Sequence, residues 1–413
     1  MMGDILFLAH RIPYPPNRGD KIRSFNILKH LCTLGTVHLA TFADDDEDMG
    51  HAEALRPMLG SLHIEKRTVS TPVGAAQALM TGKPVSLTMF DSAGIRHFVS
   101  DTLATQSIDA VFVFSGQMAQ FVPELPADTR FVVDFCDVDS AKFAAYAENS
   151  TGVMRMMHAR EARLLSAFEH SIAQRADHSL FVSATEAALF QDGVGLADNR
   201  VLPLENGIDC AFFDPAADFE PVETPSGSLI VFTGQMDYRP NIEAVQSFAD
   251  DAFPLIREER PNAHFAIVGR NPTPEVTRLA QRDGIIVTGG VPDIRSWLAA
   301  ADVIGAPLRI ARGIQNKVLE AMAMARPVVA SPAAFEGIDA KPGEHLIVAE
   351  SQAEEAGLVL ELLNDPVRAD RVGDSARSHM LDRYVWKETL APIGPLIGME
   401  HTPQDRPAPV MVS

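Results

Sequence analysis

The sequence predicts an α/β protein built from two doubly wound parallel-sheet domains, and three observations support this. Short, continuous apolar runs recur along the chain, as expected for strands buried on both faces. Most of them are followed by a glycine or a polar loop and then by a helix-like segment, which is the order of a parallel sheet with crossover helices. A proline-containing stretch without periodicity, residues 214–227, divides the series in two and is interpreted as a linker.

Composition narrows the class of protein. The chain has 413 residues, enough for two or three domains that each have a core. A formal net charge of −20 argues against nonspecific nucleic-acid binding. The three cysteines are far apart in sequence, so we expect a reducing compartment, no disulfide framework and no metal site. The first apolar run is too short for a signal peptide, and no run approaches the ~18 residues of a membrane span, so we expect a cytoplasmic protein.

Residues 1–213 are predicted to form the N-terminal domain. It opens with a strand at 5–9, a loop at 10–20, a helix from Lys21 and a second strand at 37–42. Such sheets bind ligands at the carboxyl ends of their strands, where this loop lies, and Gly19 would let a ligand approach the backbone closely. The alternative is a proline-rich surface loop. Further strands are predicted at 110–114, 131–133, 179–183 and 201–209, with a long amphipathic helix at 153–175.

Two carboxylates, Asp137 and Asp139, follow the strand at 131–133. Their spacing is similar to that of the metal-binding pair of single-domain sugar transferases. The alternative is that Asp139 or Ser140 caps the next helix. We favour the cap for Asp139 and keep Asp137 as a candidate site residue.

Residues 228–383 are predicted to form the C-terminal domain. Strands are expected at 229–232, 265–268, 285–287, 303–306 and 328–330. Gly234 and Gly269 follow the first two of these strands. A last helix is expected at 384–398, and the tail at 399–413 is expected to be disordered because it is rich in proline and poor in periodicity.

A nucleotide site is predicted where Gly313 precedes a helix that begins at Asn316. A helix N-terminus after a glycine presents free backbone N–H groups and the positive end of the helix dipole, which suit a diphosphate. Lys317 adds a positive charge in the first turn. Glu320 follows at i+3 on the same side, where its carboxylate can accept hydrogen bonds from a ribose diol. The alternative is a turn glycine and an ordinary charge pair on a solvated helix.

In this order and spacing, the chain resembles glycosyltransferase family 4, retaining enzymes of the GT-B fold, over roughly residues 4–398. The residues that carry the resemblance are Gly19, Val182-Ser183 with Glu186, Asn206-Gly207-Ile208-Asp209, Phe232-x-Gly234, Ile267-Val268-Gly269, Val287-x-Gly289, Gly313 through Glu320-Ala321-Met322-Ala323, Pro327-Val328-Val329-Ala330 and Trp386. The phrases HRIPYPPNRGDKIR, FTGQMDYRPN and ARGIQNKVLEAMA are similar to a bacterial sugar transferase subfamily associated with exopolysaccharide and PEP-CTERM/exosortase systems.

The resemblance implies that the C-terminal domain holds a nucleoside-diphosphate sugar across a cleft from an acceptor domain. Glu320 would bind the ribose, and Lys317 and Arg239 would stabilise the departing diphosphate. Asp137 would lie near the reacting centre, and the last helix with Trp386 would pack on the N-terminal domain. The implied donor-binding set is Gly19, Gly234, Arg239, Gly269, Arg312, Gly313, Asn316, Lys317 and Glu320.

One position departs from the family pattern. Arg312 stands where the family usually has a glutamate eight positions before the ribose-binding one. That glutamate faces the donor sugar or the reaction centre, so its replacement leaves the sugar and the standard mechanism open. Arg312 could instead contact phosphate or be a solvated loop residue.

The predicted function is a metal-independent glycosyltransferase of the hexosyltransferase type, acting with retention and without a cofactor. Its acceptor would be a glycan or a lipid-linked glycan. For a lipid-linked acceptor, peripheral membrane contact would be made by Arg11, Arg18, Lys21 and Arg23, and the alternative is that these residues are ordinary surface charges. The alternatives are a sugar-nucleotide epimerase, which would turn over without an acceptor, and an inactive binding or scaffold protein. No G-x-G-x-x-G follows any predicted strand, which argues against a nicotinamide dehydrogenase.

Overall fold

A computed structural model describes residues 3–69, 71–311 and 314–399 of the chain. Within these residues the chain divides into two compact units. The N-terminal unit comprises residues 3–205 together with 390–399, and the C-terminal unit comprises residues 206–389.

The N-terminal unit is built on a parallel sheet with the strand order β3-β2-β1-β4-β5-β6-β7. Its strands are β1 (Asp4–Ala9), β2 (Thr36–Ala43), β3 (Ser61–Lys66), β4 (Ile108–Phe114), β5 (Arg130–Cys136), β6 (His178–Phe181) and β7 (Val201–Pro203). Its helices are α1 (Gly19–Leu34), α2 (Asp46–Gly50), α3 (Ala52–Leu55), α4 (Thr71–Thr81), α5 (Val85–Thr88), α6 (Ala93–Thr105), α7 (Asp139–Glu148), α8 (Gly152–Arg175) and α9 (Ala184–Val194), with 3-10 turns at Arg56–Met58, Gly116–Phe121 and Asp198–Arg200. Strands β1 and β4 lie in the middle and are buried on both faces, which explains their continuous apolar sequences.

The C-terminal unit has a second parallel sheet, with the order β10-β9-β8-β11-β12-β13. Its strands are β8 (Leu229–Thr233), β9 (His264–Val268), β10 (Ile285–Gly289), β11 (Val303–Ala306), β12 (Val328–Ala330) and β13 (Ile347–Val348). Its helices are α10 (Arg239–Ser247), α11 (Phe253–Glu259), α12 (Pro274–Leu279), α13 (Ile294–Ala300), α14 (Asn316–Ala323), α15 (Pro332–Phe335), α16 (Gln352–Asn364), α17 (Pro366–His379) and α18 (Trp386–Leu390), with π-helical segments at Phe248–Ala252 and Met380–Tyr384. A final helix, α19 (Ile393–Leu396), belongs to the N-terminal unit. The predicted class, α/β with two Rossmann-like parallel-sheet domains, is confirmed.

The unit boundaries differ from the predicted ones at 213, 228 and 383. Ile208, Cys210 and Phe213 are buried in the core of the C-terminal unit, so residues 206–213 do not belong to the first domain. Trp386, which was expected to pack on the N-terminal domain, belongs to the C-terminal unit and contacts Gly207 of that unit. A Cβ on Gly207 would lie 2.8 Å from the Trp386 backbone. The return to the N-terminal unit comes later, where Gly394 lies against Leu34.

Two strands were not predicted, and both are edge strands. β3 is only half-buried along its length, and its sequence SLHIEK lacks a continuous apolar run. β13 has only two residues. Edge strands have one exposed side and therefore carry a weaker hydrophobic signal than central strands. Within the described residues, no helix is long and apolar enough to cross a membrane.

Candidate functional site

Helix α14 places Lys317 and Glu320 at the surface of the C-terminal unit. Its buried residues include Val318, Leu319 and Met322, which pack into the core as their spacing predicts. Lys317 and Glu320 lie on the other side of the helix and are both partly buried. The helix therefore fixes the two charged side chains on one rigid element, three residues apart.

The amino group of Lys317 is held in place by residues from distant parts of the chain. Its Nζ donates a hydrogen bond to Asn241 Oδ1 at 2.5 Å and lies 4.5 Å from the centroid of the Phe232 ring. Asn241 is buried, and its Nδ2 donates to the carbonyl oxygen of Gln235 at 2.8 Å. Asn241 therefore orients the amino group and is itself oriented by the loop after β8.

Sequence reasoning did not identify Asn241 as a site residue. It stands in the phrase YRPN and is the third residue of α10, and an asparagine is an ordinary feature of a helix start. Its contact with Lys317 joins residues that are 76 positions apart in sequence. A single sequence contains no local signal for such a contact.

The pKa values of both charged residues are shifted towards neutrality. Burial lowers the pKa of Lys317 to about 8, opposed by the nearby Glu320 carboxylate. Burial raises the pKa of Glu320 to about 7, opposed by the Lys317 ammonium group. Paired groups that are shifted by desolvation in this way are typical of functional sites.

Gly234 and Gly269 bring the loops after β8 and β9 close together. Gly269 has a φ of +157°, and a Cβ at that position would lie 1.6 Å from the carbonyl oxygen of Gly234. A Cβ on Gly234 would lie 2.8 Å from Asn241 Nδ2 and 3.2 Å from Lys317 Nζ. The small residue at 234 thus leaves the room that the Asn241–Lys317 pair occupies.

Arg239 and Asn316 are also in the C-terminal unit, and both are exposed. Arg239 is the first residue of α10, its side chain is 88% exposed, and its Nε lies 2.7 Å from Glu243 Oε1 on the same helix. Asn316 is the first residue of α14. Arg312 and Gly313, predicted to belong to this site, lie outside the described residues.

Gly19 and Asp137 belong to the N-terminal unit. Gly19 is the first residue of α1, two positions before the predicted start, and a Cβ there would meet no atom within 4 Å. Asp137 lies after β5 and is half-exposed, with Oδ2 3.4 Å from Lys142 Nζ.

The predicted helix cap by Asp139 or Ser140 is wrong. The N-cap residue of α7 is Val138, and it makes no side-chain cap hydrogen bond. Asp139 is instead the first helical residue and lies 3.0 Å from Lys142 Nζ. The Ser140 hydroxyl donates to Glu169 of α8 at 2.5 Å, so a tertiary contact has replaced the local one.

The basic loop predicted as a membrane contact is not a free cationic surface. Each of its four cations has a carboxylate partner: Arg11 with Asp20 and Asp44, Arg18 with Asp20, Lys21 with Asp48, and Arg23 with Asp134. Lys21 and Arg23 are also buried. Their charges are therefore committed within the N-terminal unit.

Comparisons with known proteins agree with this arrangement. Residues 227–365 match the family model described as "Glycosyl transferases group 1", and this range contains Lys317, Glu320 and Asn241. Part of the chain is 28% identical over 148 residues to a GDP-mannose-dependent monoacylated alpha-(1-6)-phosphatidylinositol monomannoside mannosyltransferase of Corynebacterium glutamicum. That match covers 33% of this chain and spans only 39% of the relative's length.

Solved structures match over nearly the whole chain. HepE of Anabaena, solved in complex with UDP, matches with a TM-score of 0.64 at 14% identity, covering 96% of this chain and 99% of that chain. A glycosyltransferase of Rickettsia africae matches with a TM-score of 0.63 at 14% identity, covering 96% of this chain and 97% of that chain. The chain therefore has the fold of GT-B glycosyltransferases, and the match to the glycosyl transferases group 1 model extends over residues 227–365.

Proposed function

We propose that this protein transfers a sugar from a nucleoside-diphosphate sugar to an acceptor, with retention of configuration and without a metal ion. The observation that carries the proposal is the Lys317–Glu320 pair on α14, with Lys317 oriented by buried Asn241 beside Gly234. HepE, which shares the fold, is a protein solved with UDP and also with UDP-glucose. The C-terminal unit of the present chain is the proposed donor site.

The proposed role of Lys317 is to stabilise the leaving diphosphate. When the bond between the sugar and the diphosphate breaks, its electron pair remains on the diphosphate oxygen, where negative charge develops. A fixed ammonium group in a partly desolvated site stabilises that charge without having to reorganise. Because the pKa of Lys317 is about 8, most of this residue is charged at neutral pH. A bound diphosphate would hold it in the charged form.

The proposed role of Glu320 is to accept hydrogen bonds from the ribose diol. A deprotonated carboxylate has only acceptor oxygens, so it complements the two hydroxyl donors of a ribose. Since the pKa of Glu320 is about 7, the residue can provide this acceptor pair at neutral and higher pH.

The other predicted residues have supporting roles in this proposal. Gly234 and Gly269 would let the loops after β8 and β9 lie close together and leave room beside the Asn241–Lys317 pair for the donor. Arg239 would exchange its contact with Glu243 for one with a donor phosphate. Asn316 at the start of α14, Arg312 and Gly313, which precede it in sequence, and Gly19 and Asp137 in the N-terminal unit remain proposed contacts.

For the acceptor and the cellular location, we propose only a chemical class and a compartment. The Corynebacterium relative is named for transfer of mannose to a phosphatidylinositol mannoside, which favours a hexose donor. We propose a glycan or lipid-linked glycan of an exopolysaccharide or cell-envelope pathway as the acceptor, in line with the subfamily resemblance. The proposed sugar transfer would take place in the cytoplasm or at the inner face of the cytoplasmic membrane.

Calorimetric titration of the full chain with UDP, GDP and ADP, in the presence of EDTA, tests the donor site. We expect saturable binding of one nucleoside diphosphate, and at least about tenfold weaker binding by Lys317→Ala and by Glu320→Ala, equivalent to one charge-assisted hydrogen bond each. Lys341→Ala is the matched control, because Lys341 is an exposed lysine of the same unit paired only with Glu344 among the described residues. Absence of binding by folded protein would refute the donor site.

A turnover assay then separates the three candidate functions. With the sugar nucleotide that binds best, a transferase forms product in the presence of an acceptor glycan. Epimerisation of the nucleotide sugar without any acceptor would identify an epimerase instead. Tight binding without turnover across a panel of lipid-linked and free glycans would favour the inactive binding protein.

A further inference from the structure

The N-terminal unit carries a patch of large apolar side chains that are exposed to solvent. It consists of Leu79 and Met80 at the end of α4 and of Val153, Met154, Met156 and Met157 in the first turns of α8, and we call it the methionine patch. Leu79, Met80 and Met156 are 72%, 81% and 74% exposed. Apolar residues clustered at the surface in this way mark interaction sites, whereas scattered single ones do not.

The two parts of the patch are adjacent in the structure. Arg160, one turn after Met156 and Met157 on α8, donates hydrogen bonds to the carbonyl oxygens of Ala78 at 2.8 Å and Lys83 at 3.2 Å. Those two carbonyls bracket Leu79 and Met80. The end of α4 is therefore tied to α8 beside its methionines, and the patch forms one surface on two packed helices.

The patch is bordered by cations in a chain whose net charge is −20. Residues 71–84 and 149–164 contain four basic residues, Lys83, Arg155, Arg160 and Arg163, and a single acid, Glu161. Glu161 is buried and accepts hydrogen bonds from the backbone N–H groups of Val85 and Ser86, both at 2.8 Å, so it faces away from solvent. Among the described residues, no carboxylate pairs with Lys83, Arg155 or Arg163. The exposed surface of these two segments is thus apolar and positively charged.

We propose that the methionine patch docks the N-terminal unit on a membrane surface that contains anionic lipid. The apolar methionine and leucine side chains can enter the acyl boundary while the arginines and the lysine meet lipid phosphates, which is the pattern of interfacial helices. A second copy of this chain fits less well, because a two-fold symmetric contact would bring the four cations of each patch against those of the other. The inference uses residues outside the donor site and does not depend on its identity.

Flotation of the full-length protein with lipid vesicles tests the proposal. We expect binding to phosphatidylcholine vesicles that contain phosphatidylglycerol, little binding to phosphatidylcholine alone, and loss of binding between ~0.1 M and ~1 M salt. The double variant Leu79→Ser/Met156→Ser removes apolar contacts, and Arg155→Gln/Arg163→Gln removes charge. Each should lower the partition coefficient by about tenfold or more.

The matched control is Val367→Ser/Arg371→Gln, which makes equivalent changes on exposed residues of the C-terminal unit. It should bind vesicles like the unchanged protein, and circular dichroism should give the same melting temperature for all variants. If the protein binds neither kind of vesicle, or binds both kinds equally, the proposal is overturned. A dimer in sedimentation velocity that Leu79→Ser/Met156→Ser dissociates also overturns it, because a second copy would then cover the patch.

Discussion

At the scale of single residues, the proposed donor site requires Lys317 and Glu320 to hold opposite charges. Glu320 must be deprotonated, and its pKa is raised by burial to about 7, so the acceptor pair is lost as pH falls below that value. Lys317 must be protonated, and its pKa is lowered by burial to about 8, so the charge is lost as pH rises above it. We expect donor affinity to be highest between these values and to fall about tenfold per pH unit on either side.

Calorimetry from pH 5.5 to 9.5 with an intact nucleotide sugar measures this profile, because each phosphorus of its diphosphate carries a single, strongly acidic group and the charge of the ligand therefore stays constant over the range. Glu320→Gln should remove the acidic limb, and Lys317→Arg should remove the alkaline limb. A profile that keeps both limbs in these variants would assign the pH dependence to other groups.

At the same scale, the sequence predicted part of the site. The i, i+3 spacing of Lys317 and Glu320 followed from helix geometry, since the apolar residues of α14 define which face is buried. The buried Asn241 and the close approach of Gly269 to Gly234 could not be predicted. These contacts depend on how neighbouring strands of a sheet bring separate loops together.

At the scale of elements, the segment 206–227 shows where periodicity fails as a guide. Within it, the prolines and irregular pattern of residues 214–227 predicted a linker, yet Asp214 pairs with Arg377, and Phe219 and Val222 pack against the core of the C-terminal unit. Arg377 of α17 donates to the carbonyl oxygen of Phe213 at 2.8 Å and lies 3.1 Å from Asp214 Oδ1. Arg295 of α13 lies 4.1 Å from the centroid of the Phe212 ring. Apolar residues in an irregular segment held by such contacts do not recur with the period of a helix or a strand, so the sequence pattern does not reveal that the segment is packed.

We expect Arg377→Ala to destabilise the C-terminal unit by about 2–4 kcal/mol, because it removes charged donors from partly buried backbone carbonyls. Arg371→Ala on the same helix is the control, since Arg371 is exposed, and it should change the free energy of unfolding by less than about 0.5 kcal/mol. Denaturant titration of both variants measures the difference. Equal effects would mean that Arg377 does not hold the segment.

At the scale of the whole molecule, the fold class could be predicted because central strands of a parallel sheet are buried on both faces. β1, β4, β8 and β9 all give continuous apolar runs, and a glycine or polar loop follows each. The limits of the units could not be predicted in the same way. Chain segments near a boundary are assigned by the core they join, and Phe213 joins one that its sequence neighbourhood does not indicate.

Two separate cores predict two separable unfolding events. One core cluster lies wholly in the C-terminal unit and another in the N-terminal unit. Because the proposed donor site lies in the C-terminal unit, a bound nucleotide should stabilise that unit by about 2.7 kcal/mol at a concentration one hundred times its Kd. Scanning calorimetry of the full chain should therefore resolve two unfolding transitions, and nucleotide should raise the midpoint temperature of only one of them.

The variants identify which transition belongs to which unit. Arg377→Ala should lower the midpoint temperature of the same transition whose midpoint the nucleotide raises, because both the substitution and the nucleotide act on the C-terminal unit. Lys317→Ala should abolish the nucleotide shift and leave the other transition in place. A single transition that nucleotide raises as a whole would contradict this prediction, because it would mean that the two units unfold together despite their separate cores.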